Sequence, residues 1–332
     1  MSLAERLKDQ IRVAGPITFH DWMKAALYDP VDGYYKRSDL KRWGREGDYR
    51  TSPERSELFA ATFAGYFAKL YDELQRPSLW TIVEAGPGAG HFAAGVLSVL
   101  SDVRYISVES TEDLERLPPI AAGIIFSNEV FDAFPVHRLI QTEDGLSEFY
   151  VAVEDDRFVW TKGRLSTPKL AEFCREYSFI DGQIVEVNLE IDRWLTSVAA
   201  KLESGYVITV DYGAEARELY DASLRPHGTL RGFSRHSFVE DILAQPGDYD
   251  ITSSVNWSQV RATGARLGFT TVEFAPQDRF LLGAGLLDEL ERRLSKATSD
   301  AHRLSLSTGA REMILPGGMA SSFQVLVQKK EK

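Results

Sequence analysis

The chain has 332 residues, of which 44% are hydrophobic and 11% aromatic. That is ample material for a large core, so disorder and fibrous structure are excluded. The 38 Lys and Arg stand against 49 Asp and Glu, a net charge of −11, which argues against nucleic acid as a partner because phosphate binding needs a basic face, and leaves cationic partners open.

The N-terminal segment interleaves Glu5 and Asp9 with Arg6 and Lys8 and has no apolar core of the kind a signal peptide needs. The single cysteine, Cys174, cannot close an intrachain disulfide, and the scattered histidines lack the paired spacing of a zinc site. A reducing, cytoplasmic location with no structural metal is expected. The longest apolar stretch, Leu58 to Ala68, has 11 residues, too few for a membrane span.

In chain order, Leu3, Leu7 and Ile11, then Phe19, Trp22, Met23, Ala26 and Leu27, predict two short helices separated by Gly15-Pro16. From Asp29 to Pro53, Pro30, Gly33, Gly44 and Gly47 stand among Tyr34, Tyr35, Trp43 and Tyr49, a loop or hairpin with exposed aromatics. Ser52-Pro53 reads as the start of a long helix ending near Leu74. Trp80 to Val83, Arg104 to Val108 and Gly123 to Ser127 then read as strands, with a helix from Phe92 to Leu100. This is the βαβ alternation of a parallel sheet. Val136 to Trp160 alternates around Asp144-Gly145, a hairpin signal. Gly205 to Val210, Phe269 to Phe274 and Phe323 to Val327 are further strands. The expected organisation is an N-terminal helical and loop cover over 1–75, followed by an α/β domain over 76–332 with an insertion at about 136–180.

The most specific local feature is Trp80 to Gly90, a strand running through Glu84 into Gly86, Gly88 and Gly90. Glycine allows a tight turn and close approach of a ligand to the backbone, and the following helix N-terminus offers free N–H groups. A dinucleotide fingerprint begun at Gly86 would need glycine at position 91, where His91 stands, so a nicotinamide enzyme is disfavoured. Glu109 lies 19 residues after Gly90 at the end of the next strand, where a carboxylate can hold ribose hydroxyls; a solvated strand end is the other reading. A second constellation, Gly123 to Pro135, is a buried strand ending in Asn128, Glu129 and Asp132. These residues either face a ligand crevice or cap a helix and charge its first turn.

The segments Gly47 to Pro53, Val83 to Gly90, Asn128 to Val136, Val210 to Gly213, His227 to Arg231, Pro246 to Thr252 and Leu315 to Met319 together resemble the MidA family, over nearly the whole chain. That family includes the mitochondrial complex I assembly arginine methyltransferase. The resemblance implies a Rossmann-like class I methyltransferase fold, with the N-terminal cover and hairpin insertion noted above. It also implies S-adenosylmethionine as donor, an arginine-containing protein substrate such as a respiratory complex I subunit, and a cofactor loop closed by Asp48 and Thr51 beside Glu84, Gly86, Gly88, Gly90 and Glu109. Only 18 residues separate Glu109 from Asn128, whereas family members usually place a helix and another strand there. A non-catalytic assembly protein on the same fold is the alternative that this shortening suggests. An arginine acceptor is protonated in water, and carboxylates that grip its guanidinium could free one nitrogen for attack. The expected catalytic residues are Glu129 and Asp132, with Asn128 positioning and Asp211 as a second anion.

Overall fold

Helix Glu57–Glu73 shows how side-chain spacing becomes a core. In the computed structural model, which describes residues 1–37, 39–40, 56–234, 237–315 and 322–332, the Ser56 hydroxyl accepts the Leu58 N–H at 3.2 Å and starts the helix. Phe59, Phe63 and Phe67, at four-residue steps, are fully buried. Phe63 packs on Phe126 and Phe280 at 5.1 and 5.4 Å, and Phe92 stacks on Phe126 at 4.2 Å. Contacts of this kind add about 0.5–1.5 kcal/mol each beyond their buried area. The helix ends at Leu74, as its pattern predicts; Ser52-Pro53 lies outside the described residues.

The sheet under this helix has strands β1 (Trp80–Ala85), β2 (Arg104–Val108), β3 (Ala122–Asn128), β4 (Gly205–Ala214), β5 (Phe269–Pro276) and β6 (Phe323–Lys330). Their order is β5-β6-β4-β3-β1-β2. β1 runs parallel to β2 and β3, β3 parallel to β4, and β6 antiparallel to both β4 and β5. From β1 the chain steps outward to β2, then crosses back to β3 on the other side. The switch point therefore lies between β1 and β3, where open α/β sheets bind ligands beyond their carboxyl ends. Among the described residues no further strand joins β2 on its outer side; helix Thr111–Arg116 occupies the connection to β3.

Two compact units are resolved by internal packing. This sheet belongs to one, residues 50–130, 192–213 and 259–332; the other comprises 1–49, 131–191 and 214–258. In the second unit, helices Leu3–Ala14 and Phe19–Tyr28 are capped by Ser2 and Thr18. The hairpin read at Asp144-Gly145 is present: His137–Thr142 pairs with Gly145–Glu154, which also pairs with Ile17–Thr18 and Arg157–Gly163. Tyr34 corrects the expectation of exposed aromatics, since it is fully buried among Phe19, Trp22, Val151 and Ile251. Among the described residues no helix is long and apolar enough to cross a membrane, and no cluster of His, Cys, Asp and Glu suits a metal ion.

The His227-Gly228-Thr229 motif has a packing role in the second unit. The buried Glu186 carboxylate accepts the Thr229 N–H at 2.6 Å and its hydroxyl at 3.2 Å. Arg138, stacked over Trp160 at 4.9 Å, lies 3.4 Å from the other oxygen. A Cβ on Gly228, whose φ is +76°, would fall inside that carboxylate. Gly228→Ala should therefore lower stability by about 2–4 kcal/mol, through left-handed strain and displacement of a buried charge. Urea titration of the whole chain checks this, and an unchanged midpoint would overturn it.

Candidate active site

β1 delivers Glu84 and the glycine turn to the switch point. Gly86, Gly88 and Gly90 all have left-handed backbone, with φ of 65°, 53° and 77°, which explains the residue type. A Cβ on Gly86 would come within 2.8 Å of Val130 Cγ2, whereas one on Gly90 would meet nothing within 4 Å. Gly90 starts helix His91–Leu97 with no side-chain cap, so among the described residues no side chain takes its first N–H groups. Gly86 and Gly88 are exposed, as is Glu109 just beyond β2. His91 is an exposed residue of the helix's first turn.

Glu84, by contrast, is buried. The Tyr105 hydroxyl donates to its carboxylate at 2.8 Å. Burial pushes the carboxyl up to about 7, the Tyr105 hydrogen bond opposes that shift, and the like charge of Glu109 adds to it. Sequence reasoning missed Tyr105. Only the strand register brings them together, pairing Ile82 with Tyr105 and Glu84 with Ser107, so that residues two apart on a strand share a face.

The end of β3 is built around an uncommon backbone. Glu129 is a non-glycine residue at φ 55°, a conformation that costs free energy unless its surroundings impose it. They do so here: the Glu129 N–H donates to the Val210 carbonyl at 2.9 Å, and the Val130 N–H donates to Asp211 Oδ2 at 3.2 Å. The Asn128 amide donates to Glu129 Oε1 at 2.9 Å, and its own carbonyl oxygen is enclosed without a hydrogen-bond partner. Asp211 is completely buried, with its other oxygen accepting the Tyr212 N–H at 2.9 Å. The structure thus brings Asn128, Glu129 and Asp211 together at the carboxyl ends of β3 and β4.

Asp132 belongs to the other unit. Its loop is held there by successive carbonyls: Phe131 accepts from the Asn188 amide at 3.1 Å, Asp132 from the Ser253 N–H at 2.9 Å, and Ala133 from the Tyr28 hydroxyl at 2.9 Å. Asp48 and Thr51 lie outside the described residues.

Comparison with known proteins decides the family. A family model described as "Putative S-adenosyl-L-methionine-dependent methyltransferase" matches residues 103–275. The chain belongs to this methyltransferase family. Its motif resemblance and the methyltransferase fold expected from it hold, and the enzyme uses S-adenosylmethionine. The glycine turn fits that group, with a backbone edge open at Gly90 and an exposed carboxylate at Glu109.

The chain is similar to "Protein arginine methyltransferase NDUFAF7, mitochondrial" of Rattus norvegicus, at 26% identity over 97% of this chain and 83% of the relative. The Drosophila melanogaster homolog of that protein is also 26% identical, over 78% and 69%. Among solved structures, a "likely methyl transferase" from Burkholderia thailandensis bound to S-adenosyl-homocysteine superposes with a TM-score of 0.88 at 28% identity, covering 99% of this chain and 92% of that one. One expectation is corrected by these relatives. The cytoplasmic location read from the N-terminus fails against matched relatives that are named mitochondrial; a charged N-terminus speaks only to secretory export.

Burial of Glu84 has a measurable consequence. An unfolded carboxyl ionises near its ordinary value of 4.5, whereas the folded one waits until about 7. The unfolded state therefore releases its proton first, and stability falls as pH rises between those values. Relative to Glu84→Gln, the cofactor-free protein should lose about 3 kcal/mol across that window and level off above it. Denaturant titrations of both proteins from pH 4 to 8 check this; a difference that stays flat with pH would remove the buried carboxyl as its source.

Proposed function

We propose that the enzyme methylates arginine side chains of a protein substrate, with Glu129 as the residue that engages the guanidinium. The observation that carries this reading is the left-handed Glu129 at the end of β3, its carboxylate bonded by the Asn128 amide. Strain of this kind is concentrated at sites where a side chain must be aimed. The relatives' naming as protein arginine methyltransferases supports the same acceptor.

When bound, the sulfonium cofactor supplies an electrophilic methyl group and the leaving thioether. The chain's own work is to hold the acceptor in line and lower the cost of its charge. Glu129 accepts two N–H groups of the guanidinium, which draws positive charge toward the gripped nitrogens and leaves the third more nucleophilic. Asn128 fixes the Glu129 carboxylate, and Asp211 fixes the backbone that carries it, adding negative charge behind. Asp132, on the neighbouring segment of chain, is proposed as an anion for the arginine-bearing peptide. Glu84, Gly86, Gly88, Gly90 and Glu109 are proposed to hold the cofactor, with Asp48 and Thr51 as its cover. The family resemblance points to a respiratory complex I subunit as the substrate, and the net charge of −11 suits a cationic acceptor.

Radiolabelled S-adenosylmethionine with cell extract, followed by amino-acid analysis of the labelled protein, tests this. Label on arginine is expected, and Glu129→Gln should reduce it by about 100-fold or more. Label confined to another residue type, or equal labelling by the variant, sinks the proposal.

A further inference from the structure

Among the described residues no strand lies beyond β2, and the chain leaves Glu109 directly into helix Thr111–Arg116. A helix of six residues is too short to be stable by itself, so something outside it must hold it. Its N-terminus is capped by Ser110, whose hydroxyl accepts the Asp113 N–H at 3.1 Å, and Leu114 is fully buried beneath it.

Among the described residues, further ties come from one stripe of helix Glu190–Lys201. Arg193 donates to Glu112 at 2.8 Å, Ser197 donates to Glu115 at 2.9 Å, and Lys201 donates to the Leu117 carbonyl at 2.6 Å. Residues 193, 197 and 201 are four apart and so share one helical face. Their partners run from the first turn of the short helix to the residue that ends it. Below this stripe the backbone continues the attachment: Ile120 N–H donates to the Lys201 carbonyl at 2.7 Å and Glu203 N–H to the Ile120 carbonyl at 2.9 Å. The short helix is thus fastened along its whole length to an element that is remote in sequence.

We propose that Arg193, Ser197 and Lys201 are positioning residues for the cofactor: they clamp helix Thr111–Arg116 and so fix Glu109, which that helix directly follows. The inference rests on the proposed role of Glu109 in holding the cofactor. The clamp substitutes by polar contact for the lateral support that a further strand beyond β2 would give. Its first tie is half-exposed, with side-chain exposures of 42% for Arg193 and 51% for Glu112, so salt weakens it.

Calorimetric titration of the full chain with S-adenosylhomocysteine tests the clamp at temperatures well below melting. Arg193→Glu should weaken binding about tenfold, the repulsion and the lost tie acting together. The swap Arg193→Glu with Glu112→Arg should restore it, which assigns the loss to this ion pair rather than to either residue alone. Ser197→Ala, which removes only one hydroxyl and is expected to fold, should weaken binding by about two- to fivefold. Arg293→Glu breaks an ion pair with Glu57 elsewhere in the same unit and should leave binding unchanged. Unchanged binding by folded Arg193→Glu and Ser197→Ala overturns the clamp. If Glu109→Gln binds normally while Arg193→Glu does not, the Glu109 reading falls and with it the clamp as a device that fixes Glu109; weak binding by Glu109→Gln with unchanged binding by the folded clamp variants overturns the clamp alone.

Discussion

Three strand ends of the methyltransferase sheet are tied by one residue with no chemistry of its own. Val130 places its Cγ2 where a side chain on Gly86 would begin, and its N–H donates to the buried Asp211 carboxylate. The turn after β1, the loop after β3 and the end of β4 therefore cannot move independently. Glycine at position 86 is demanded twice, by its left-handed backbone and by the valine beside it. The same knot imposes the left-handed conformation of Glu129, because the backbone must turn sharply for the Glu129 N–H to reach the Val210 carbonyl and for the next N–H to reach Asp211. Asp211, read from sequence as an anion for the substrate, is here the buried acceptor that organises the loop.

Two carboxylates at neighbouring strand ends illustrate how environment divides one residue type into different tasks. Glu109 is exposed, while Glu84 is buried against Tyr105 and held up to about 7. Near neutral pH, Glu84 can therefore gain or lose a proton in response to a nearby cation, at little cost. A buried carboxyl poised in this way is suited to a cofactor that brings positive charge, because the charged form is stabilised only when that charge is present.

Much of this was legible in the sequence where local chemistry dictates structure. The glycine turn, the βαβ alternation, the Asp144-Gly145 hairpin and the Leu74 helix end follow from turn geometry, period and capping, all of which are short-range. What escaped depends on register and long-range packing. Tyr105 meets Glu84 only because β1 and β2 pair in one register. Tyr34 looks like a loop aromatic, yet it fills the core under helix Phe19–Tyr28. The run from Asn128 to Pro135 reads as one constellation, but the boundary between units falls after Val130. From Phe131 onward the backbone carbonyls are taken by Asn188, Ser253 and Tyr28, so the loop answers to a different core. A linear motif cannot reveal that division.

The shortened connection after Glu109, visible as a count of residues, is explained by an element far along the chain. Residues 193, 197 and 201 carry no recognisable motif, and as Arg, Ser and Lys on a surface helix they would pass for solvated side chains. Their significance arises because a six-residue helix cannot sustain itself and because, among the described residues, the edge strand beside it has no outer neighbour. The support for the end of β2 thus comes from a helix face. Side-chain ties are more exposed and more sensitive to salt than strand pairing, so on the proposed role of Glu109 cofactor affinity would respond to ionic strength. The end of β2 is thus held through charged and polar side chains of a distant helix, at the position where the cofactor is proposed to bind.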